Sequence, residues 1–396
     1  MHKGKARLGG QRKLPAKALF FPAASLYAAI LVPLSLWAMF HRPLLLPGIS
    51  SGVGHARELL FGFALAVIAG YLLGPLHLGR LLLLFGLWLG ARLGYLLAPG
   101  SIVSPLLGTL FALGLAVHLV PRFRSARKWR NRLLGPLLLS ICVLAAILFW
   151  LVHAGAAVVT QHVLVYQAVL LLALLMLFMG GRVIAPAVAG HCQRLGKPLN
   201  ARVQPRLEGG LILSMLLGIA LMSWPGARDW AGPMLVLTGL LGLVRLLRWR
   251  LWRCLGRPDL LCLGAGYGWL VAGLLSNGVA QWLQQMTSGL IHVMTLGALG
   301  TLSGVIMMRS AMLQASGRQT LDLAREWRVP VFTLLIAVAT LLRLAAPHVA
   351  ALHLALLWSA ALAWSLAWLL VTPCLFRGAD HGLKHQAARR GEVHHR

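Results

Sequence analysis

Twelve apolar runs, each roughly the 18–24 residues a helix needs to cross a bilayer, limit this chain more than any other feature of its sequence. They lie near 19–40, 58–78, 80–98, 101–120, 133–153, 156–179, 208–224, 231–247, 259–277, 288–310, 329–346 and 348–373. In hydrocarbon every main-chain N–H and C=O must be satisfied within the protein, so such runs become helices rather than loops or open sheets. Composition agrees: 59% hydrophobic residues, 11% charged residues and a mean hydropathy of +0.79 lie outside the range of ordinary soluble globular proteins. The expected fold is all-α, a polytopic transmembrane helix bundle over 19–373, preceded by a basic segment at 1–18 and followed by a polar tail at 374–396. The longest polar stretch between runs, 181–207, is too short for a soluble core of its own.

The formal charge of +29 is high enough for a nucleic-acid binder. The basic residues nevertheless fall in blocks between apolar runs, without the interleaved aromatic and polar surface that reads a base. Membrane orientation explains them, because short cytoplasmic loops collect Lys and Arg. Inside are then the N-terminal Lys3, Lys5, Arg7, Arg12, Lys13 and Lys17, Arg122 to Arg132, Arg182 to Arg206, Arg245 to Arg257, Arg309 to Arg328, and the tail. The nearly uncharged turns near 99, 154 and 278–287 fall outside, so both termini are expected in the cytoplasm and His55 toward the outer surface. The N-terminal order, a basic segment before an apolar run, is that of a secretion signal. The run 19–40 is long enough to span, and no small-residue cleavage pattern follows it, so a retained helix is expected.

Two stretches concentrate polar residues inside apolar runs. In SGVGHARELLFGFALAVIAGYLL, from Ser51 to Leu73, His55, Glu58 and Gly62 fall on one helical face, and Gly62, Ala66 and Gly70 leave that face smooth. Ionisable groups at a membrane boundary cost roughly 1–3 kcal/mol each unless paired or solvated, which makes His55 and Glu58 site candidates. The alternative is that Glu58 complements a helix N-terminus while His55 faces headgroups. In IHVMTLGALGTLSGVIMMRSAMLQASGR, from Ile291 to Arg318, His292, Thr295 and Ser303 form a polar stripe beside Gly297, Gly300 and Gly304. The two smooth faces are expected to pack on each other. His292 falls level with His55, and two such imidazoles either ligate a metal or haem iron or hydrogen-bond between helices. His153 closes the fifth run near the same depth.

The remaining motifs exclude more than they suggest. The five Cys residues form no CxxC pair and no zinc spacing, so they are read as packing residues. GAGYGW at 264–269 lacks the third glycine of a dinucleotide fingerprint and sits inside a span, and there is neither a phosphate loop nor a nucleophile elbow. With eight acidic residues in the chain, a proton-coupled transporter built on membrane carboxylates has few candidates beyond Glu58 and Glu208. The tail histidines His381, His385, His394 and His395 are read as part of a disordered end, with metal capture as the alternative.

Several of these segments together resemble the NnrS family of polytopic bacterial membrane proteins, over nearly the whole chain. HARELLFGFALAVIAGYLL at 55–73 is similar to the family's HAHEMLFG-type helix, and MGGRVIAP at 179–186 to its GGRVIP element. LLRWRLWR at 246–253 and GYGWL at 266–270 resemble its tryptophan-arginine loop and the helix after it. His292 to Arg318 is similar to its H-x-x-T-x-G-x-x-G-T helix. The resemblance implies about twelve spans in the bacterial inner (cytoplasmic) membrane, an association with haem and copper, and a link to nitric-oxide metabolism and nitrosative stress, with nitric oxide as a small gaseous ligand. It also implies a haem near the outer face held by His55 and His292, with His153 a more distant match and Glu58 orienting one ligand.

The departures from the pattern bear on the chemistry. Arg57 stands where the family motif has its second His, Gly264 where a His precedes the family's GY pair, and Ala315 at the His position of the T-G-R-like turn. A guanidinium repels a metal cation and does not deprotonate to coordinate it, so copper is expected to be absent or substoichiometric. The reading from another class is a metal-free relative, a transporter or interaction protein, in which His55, Arg57 and Glu58 form a polar cluster.

Overall fold

The computed structural model describes residues 13–41, 45–126, 129–199, 203–285, 289–315 and 321–394, with the side chains of 130, 315, 321, 322 and 381–394 excepted. The basic residues of 1–12, the histidines of the tail and the side chain at Ala315 lie outside the described residues. Among those described, twelve helices are long and apolar enough to cross a membrane: α1 (Lys17–Phe40), α2 (Gly52–Leu72), α3 (Leu78–Leu97), α4 (Val103–Arg124), α5 (Leu134–His153), α6 (Val158–Arg194), α7 (Pro205–Ser223), α8 (Pro225–Arg248), α9 (Pro258–Trp282), α10 (Val293–Gln314), α11 (Arg328–His348) and α12 (Ala350–Asp380). The twelve apolar runs and the twelve helices correspond one to one. An even number of spans brings both ends of the bundle to one side, termed the terminal face; the other is the far face.

Several boundaries differ from the sequence expectation, most of all those of α2, α6 and α12. α2 begins at Gly52 rather than near 58, because Ser51 Oγ accepts the Gly54 N–H at 3.1 Å and caps the helix. Glu58 therefore lies within the helix rather than at its N-terminus. α2 ends before Gly74, whose φ of +67° favours glycine. Pro75–His77 then forms a strand, β2, antiparallel to β1 (Lys13–Pro15), where a helix through 78 was expected. α6 does not stop near 179 but continues to Arg194 through a wide-turn segment at Gly180–Ile184, taking in half of the stretch expected as a polar loop. The backbone helix containing α12 also runs on unbroken to His394, past the expected boundary at 373.

Helices adjacent in the chain mostly pack on one another, and α1 closes against α12. Polar side chains fix that closure: Ser25 Oγ donates to the Trp368 carbonyl at 3.0 Å and Trp364 Nε1 to that of Ala28 at 2.8 Å. Hydrogen bonds of this kind hold helices together where lipid offers no hydrophobic drive. The most buried spans are α2, α6, α9 and α10, and the most exposed are α3, α7 and α11. Three of these four inner helices carry π-helical turns, at Glu58–Phe63 in α2, Gly180–Ile184 in α6 and Val293–Gly300 in α10. Such turns widen the helix and recur at functional positions.

The expected glycine-to-glycine contact between α2 and α10 is not formed. A Cβ at Gly62 would meet Tyr27 and Arg92, and one at Gly70 would meet Phe21 and Phe20, all from α1 and α3. Gly297 receives Trp269, Gly300 receives Trp364 and Gly304 receives Phe332. The small residues thus act as sockets for bulky side chains rather than as a backbone seam. Aromatic rings fill the resulting core, with Phe63 5.0 Å from Trp368, which is itself 5.2 Å from Phe332.

Candidate functional site

Glu58 organises a charged cluster inside the bundle. It lies in the π turn of α2 with no exposed surface, and Arg57 and Arg92 beside it are each 1% exposed. Arg57 Nη1 donates to Glu58 Oε1, Tyr27 OH from α1 donates to Oε2, and Arg92 Nη1 from α3 lies 3.1–3.2 Å from both oxygens. On its other side Arg57 Nη2 donates to Ser104 Oγ at 3.1 Å, and the Ser104 hydroxyl donates in turn to the Ala91 carbonyl at 3.0 Å. The Arg57 guanidinium is pressed between rings, 3.5 Å from the Tyr95 centroid and 4.4 Å from that of Phe149. Trp88 Nε1 donates to the Gly62 carbonyl at 2.8 Å within the π turn, pinning the segment that carries Glu58.

The charge of this cluster does not cancel. Two guanidiniums face one carboxylate, and Arg57 Nε, Arg92 Nε and Arg92 Nη2 are buried without a hydrogen-bond partner. Arginine stays protonated even when buried, so the cluster keeps an excess of one positive charge in a low-dielectric setting. Leaving such donors bare costs roughly 1–3 kcal/mol each, more for charged groups. The cluster lies nearer the far face, since Arg92 falls five positions before the end of α3 and Ser104 opens α4.

His55 is half-buried and its Nδ1 lies 2.7 Å from Ser35 Oγ of α1, not against Glu58. His292 directly precedes the π turn of α10, and His153 ends α5 with its ring 6.0 Å from that of Trp150. Among the described residues the hydrogen bonds of Glu58 go to Tyr27 and the two arginines. Among the described residues no group of three or more His, Cys, Asp or Glu is placed to hold a metal ion. Two of the departures from the family pattern have structural counterparts. At Gly264 a Cβ would lie 2.2 Å from Leu251 Cδ1, so Leu251 occupies the space a side chain there would take, and Arg57 is committed to Glu58 and Ser104. The residues present do not fit a copper centre built on those positions.

Three of the motif segments instead converge at the terminal face. Gly180 and Gly181 of α6 admit Tyr267 and Arg245, since a Cβ at these positions would meet Tyr267 at 2.6 Å and Arg245 Nη2 at 2.2 Å. Arg245 pairs with Glu208 of α7 at 2.9 Å and donates to the Leu177 carbonyl at 2.9 Å. Its guanidinium carbon lies 5.4 Å from the ring of Trp249, which packs 4.7 Å from Tyr267. A third carboxylate, Asp259 at the start of α9, is fully buried between Arg257, at 2.8–2.9 Å, and Arg309. In the connection from α8 to α9, burial and the neighbouring Cys192 push the Cys254 thiol up to about 11, consistent with a packing role.

Sequence reasoning passed over Arg92 and Asp259. The signal for Arg92 was available, a single arginine within the apolar run LLLLFGLWLGARLGYLL, since an ionisable residue in a span must have a partner. The chain matches no curated protein and no solved structure. The family model described as NnrS protein matches residues 18–377, which takes in all but the ends of the helical bundle, and the chain belongs to the NnrS family.

Proposed function

We propose that this protein binds a small monovalent anion at the Arg57–Glu58–Arg92 cluster, within a multi-pass fold of the bacterial cytoplasmic membrane, and that its family tie to nitric-oxide metabolism operates through an anion of nitrite size rather than through a metal pair. The observation that carries this reading is the uncancelled charge: two buried guanidiniums against one carboxylate, with three N–H groups lacking an acceptor. An anion beside Arg92 Nη2 neutralises the excess and supplies that acceptor. The basic residues clustered at the terminal face orient that face to the cytoplasm, which puts the cluster in the outer half of the membrane.

The test is thermal unfolding of the detergent-purified protein in sodium nitrite, sodium chloride and sodium gluconate at equal ionic strength. A specific site predicts stabilisation by nitrite or chloride but not by bulky gluconate, rising as RT ln(1 + [L]/Kd) to about 2.7 kcal/mol at a hundredfold excess. Equal response to all three salts overturns the reading.

A second reading is favoured by one observation at His55. Ser35 lies against its Nδ1, the ring nitrogen whose hydrogen bond fixes the orientation of a metal-binding imidazole, leaving Nε2 to coordinate. In this reading His55 and His292 hold a haem, which would supply a site for nitric oxide. A Soret band in purified protein, abolished by His55→Ala without loss of folding, supports it. A colourless preparation from haem-replete cells excludes it.

A further inference from the structure

A cavity of about 380 Å³ opens between α6, α7, α8 and the short 129–132 segment at the terminal face. Its polar lining is Asn131, Arg182, Glu208 and Arg245, and its apolar walls include Phe178 and Leu211. Arg245 is committed to Glu208 and the Leu177 carbonyl, whereas Arg182 is exposed, with its guanidinium carbon 5.5 Å from the ring of Phe123. Among the described residues a guest therefore meets one net positive charge and an amide, set against the apolar side chains of Phe178, Leu211 and Ile212.

From this combination we infer that the cavity takes the phosphate head of an anionic phospholipid, with the head against Arg182 and Asn131 and the first methylenes along Phe178 and Leu211. A free phosphate shares the head chemistry but makes no use of the apolar walls. Basic pockets between helices on the cytoplasmic side are suited to such headgroups. The inference is independent of the anion reading at Glu58, which lies toward the opposite face.

The experiment uses the full chain in detergent, unfolded by heat and followed by Trp fluorescence, with added phosphatidylglycerol, phosphatidylcholine or inorganic phosphate. Phosphatidylglycerol is expected to raise Tm where phosphatidylcholine at equal concentration does not. Arg182→Gln is expected to need about fivefold more phosphatidylglycerol for the same shift, the factor that corresponds to one basic group near a membrane surface. Arg80→Gln, which removes an exposed arginine at the same face outside the cavity, should leave the response unchanged. Equal responses to the two lipids, or equal loss in both variants, overturn the inference. So does an equal shift with inorganic phosphate alone, which reassigns the cavity to a free anion.

Discussion

The charge count at Glu58 makes an asymmetric prediction. The native cluster carries two buried arginines and one buried glutamate, an excess of one positive charge. Glu58→Gln raises that excess to two while keeping the shape of the side chain, and Arg92→Met lowers it to zero while filling similar space. Removing one partner of a buried ion pair costs about 3–5 kcal/mol when it leaves a charge uncompensated, whereas loss of Arg92 leaves Glu58 still paired with Arg57. Glu58→Gln should therefore lower Tm by on the order of 5–10 °C, using about 2 °C per kcal/mol for a large chain, and Arg92→Met by much less. The assay is thermal unfolding of both purified variants in gluconate, with no added small anion. If Arg92→Met costs as much as Glu58→Gln, the cluster is held by particular hydrogen bonds rather than by charge balance, and the argument for an anion fails.

Further predictions follow from the fold. Reporter fusions after Gly155 and Gln285 should read as periplasmic and those after Ser125 and Arg250 as cytoplasmic, and an outside signal from either basic connection would contradict the assigned orientation. Gly62→Leu should destabilise the protein by roughly 1–3 kcal/mol, because its side chain runs into Tyr27 and Arg92; unfolding at the parental temperature would show that those groups yield. Gly181→Ala should weaken the Glu208–Arg245 pair, since its Cβ would lie 2.2 Å from Arg245 Nη2. The readout is a lower Tm that Glu208→Gln does not lower further.

The number and order of the helices were legible because bilayer thickness imposes a run length that composition displays directly. The ends of α2 and α6 were less so. A serine cap before Gly52 and a wide turn at Gly180 extend helices into stretches that read as polar or broken. Glu58 stood out as a charge in an apolar setting, but helical spacing alone paired it with His55. Neither the side-chain bonds made in the π turn at Glu58–Phe63 nor the approach of Arg92 from α3 is encoded in the local pattern. Glycine periodicity was likewise ambiguous. It marks close approach without saying whether a backbone or an aromatic ring is the visitor, and in α2 and α10 the visitors are Phe21, Trp269, Trp364 and Phe332 among others. The convergence of Gly180, Gly181, Arg245, Trp249 and Tyr267 shows the converse, motifs distant in sequence whose common purpose appears only when the helices are assembled.

Isothermal titration of nitrite into the purified wild-type protein and into Arg92→Met tests the central claim most directly, with Arg182→Gln as a variant outside the cluster. The account predicts saturable heat for one site per chain in the wild type and in Arg182→Gln, and none in Arg92→Met. Absence of saturable heat in the wild type, or the same isotherm in Arg92→Met, would contradict it.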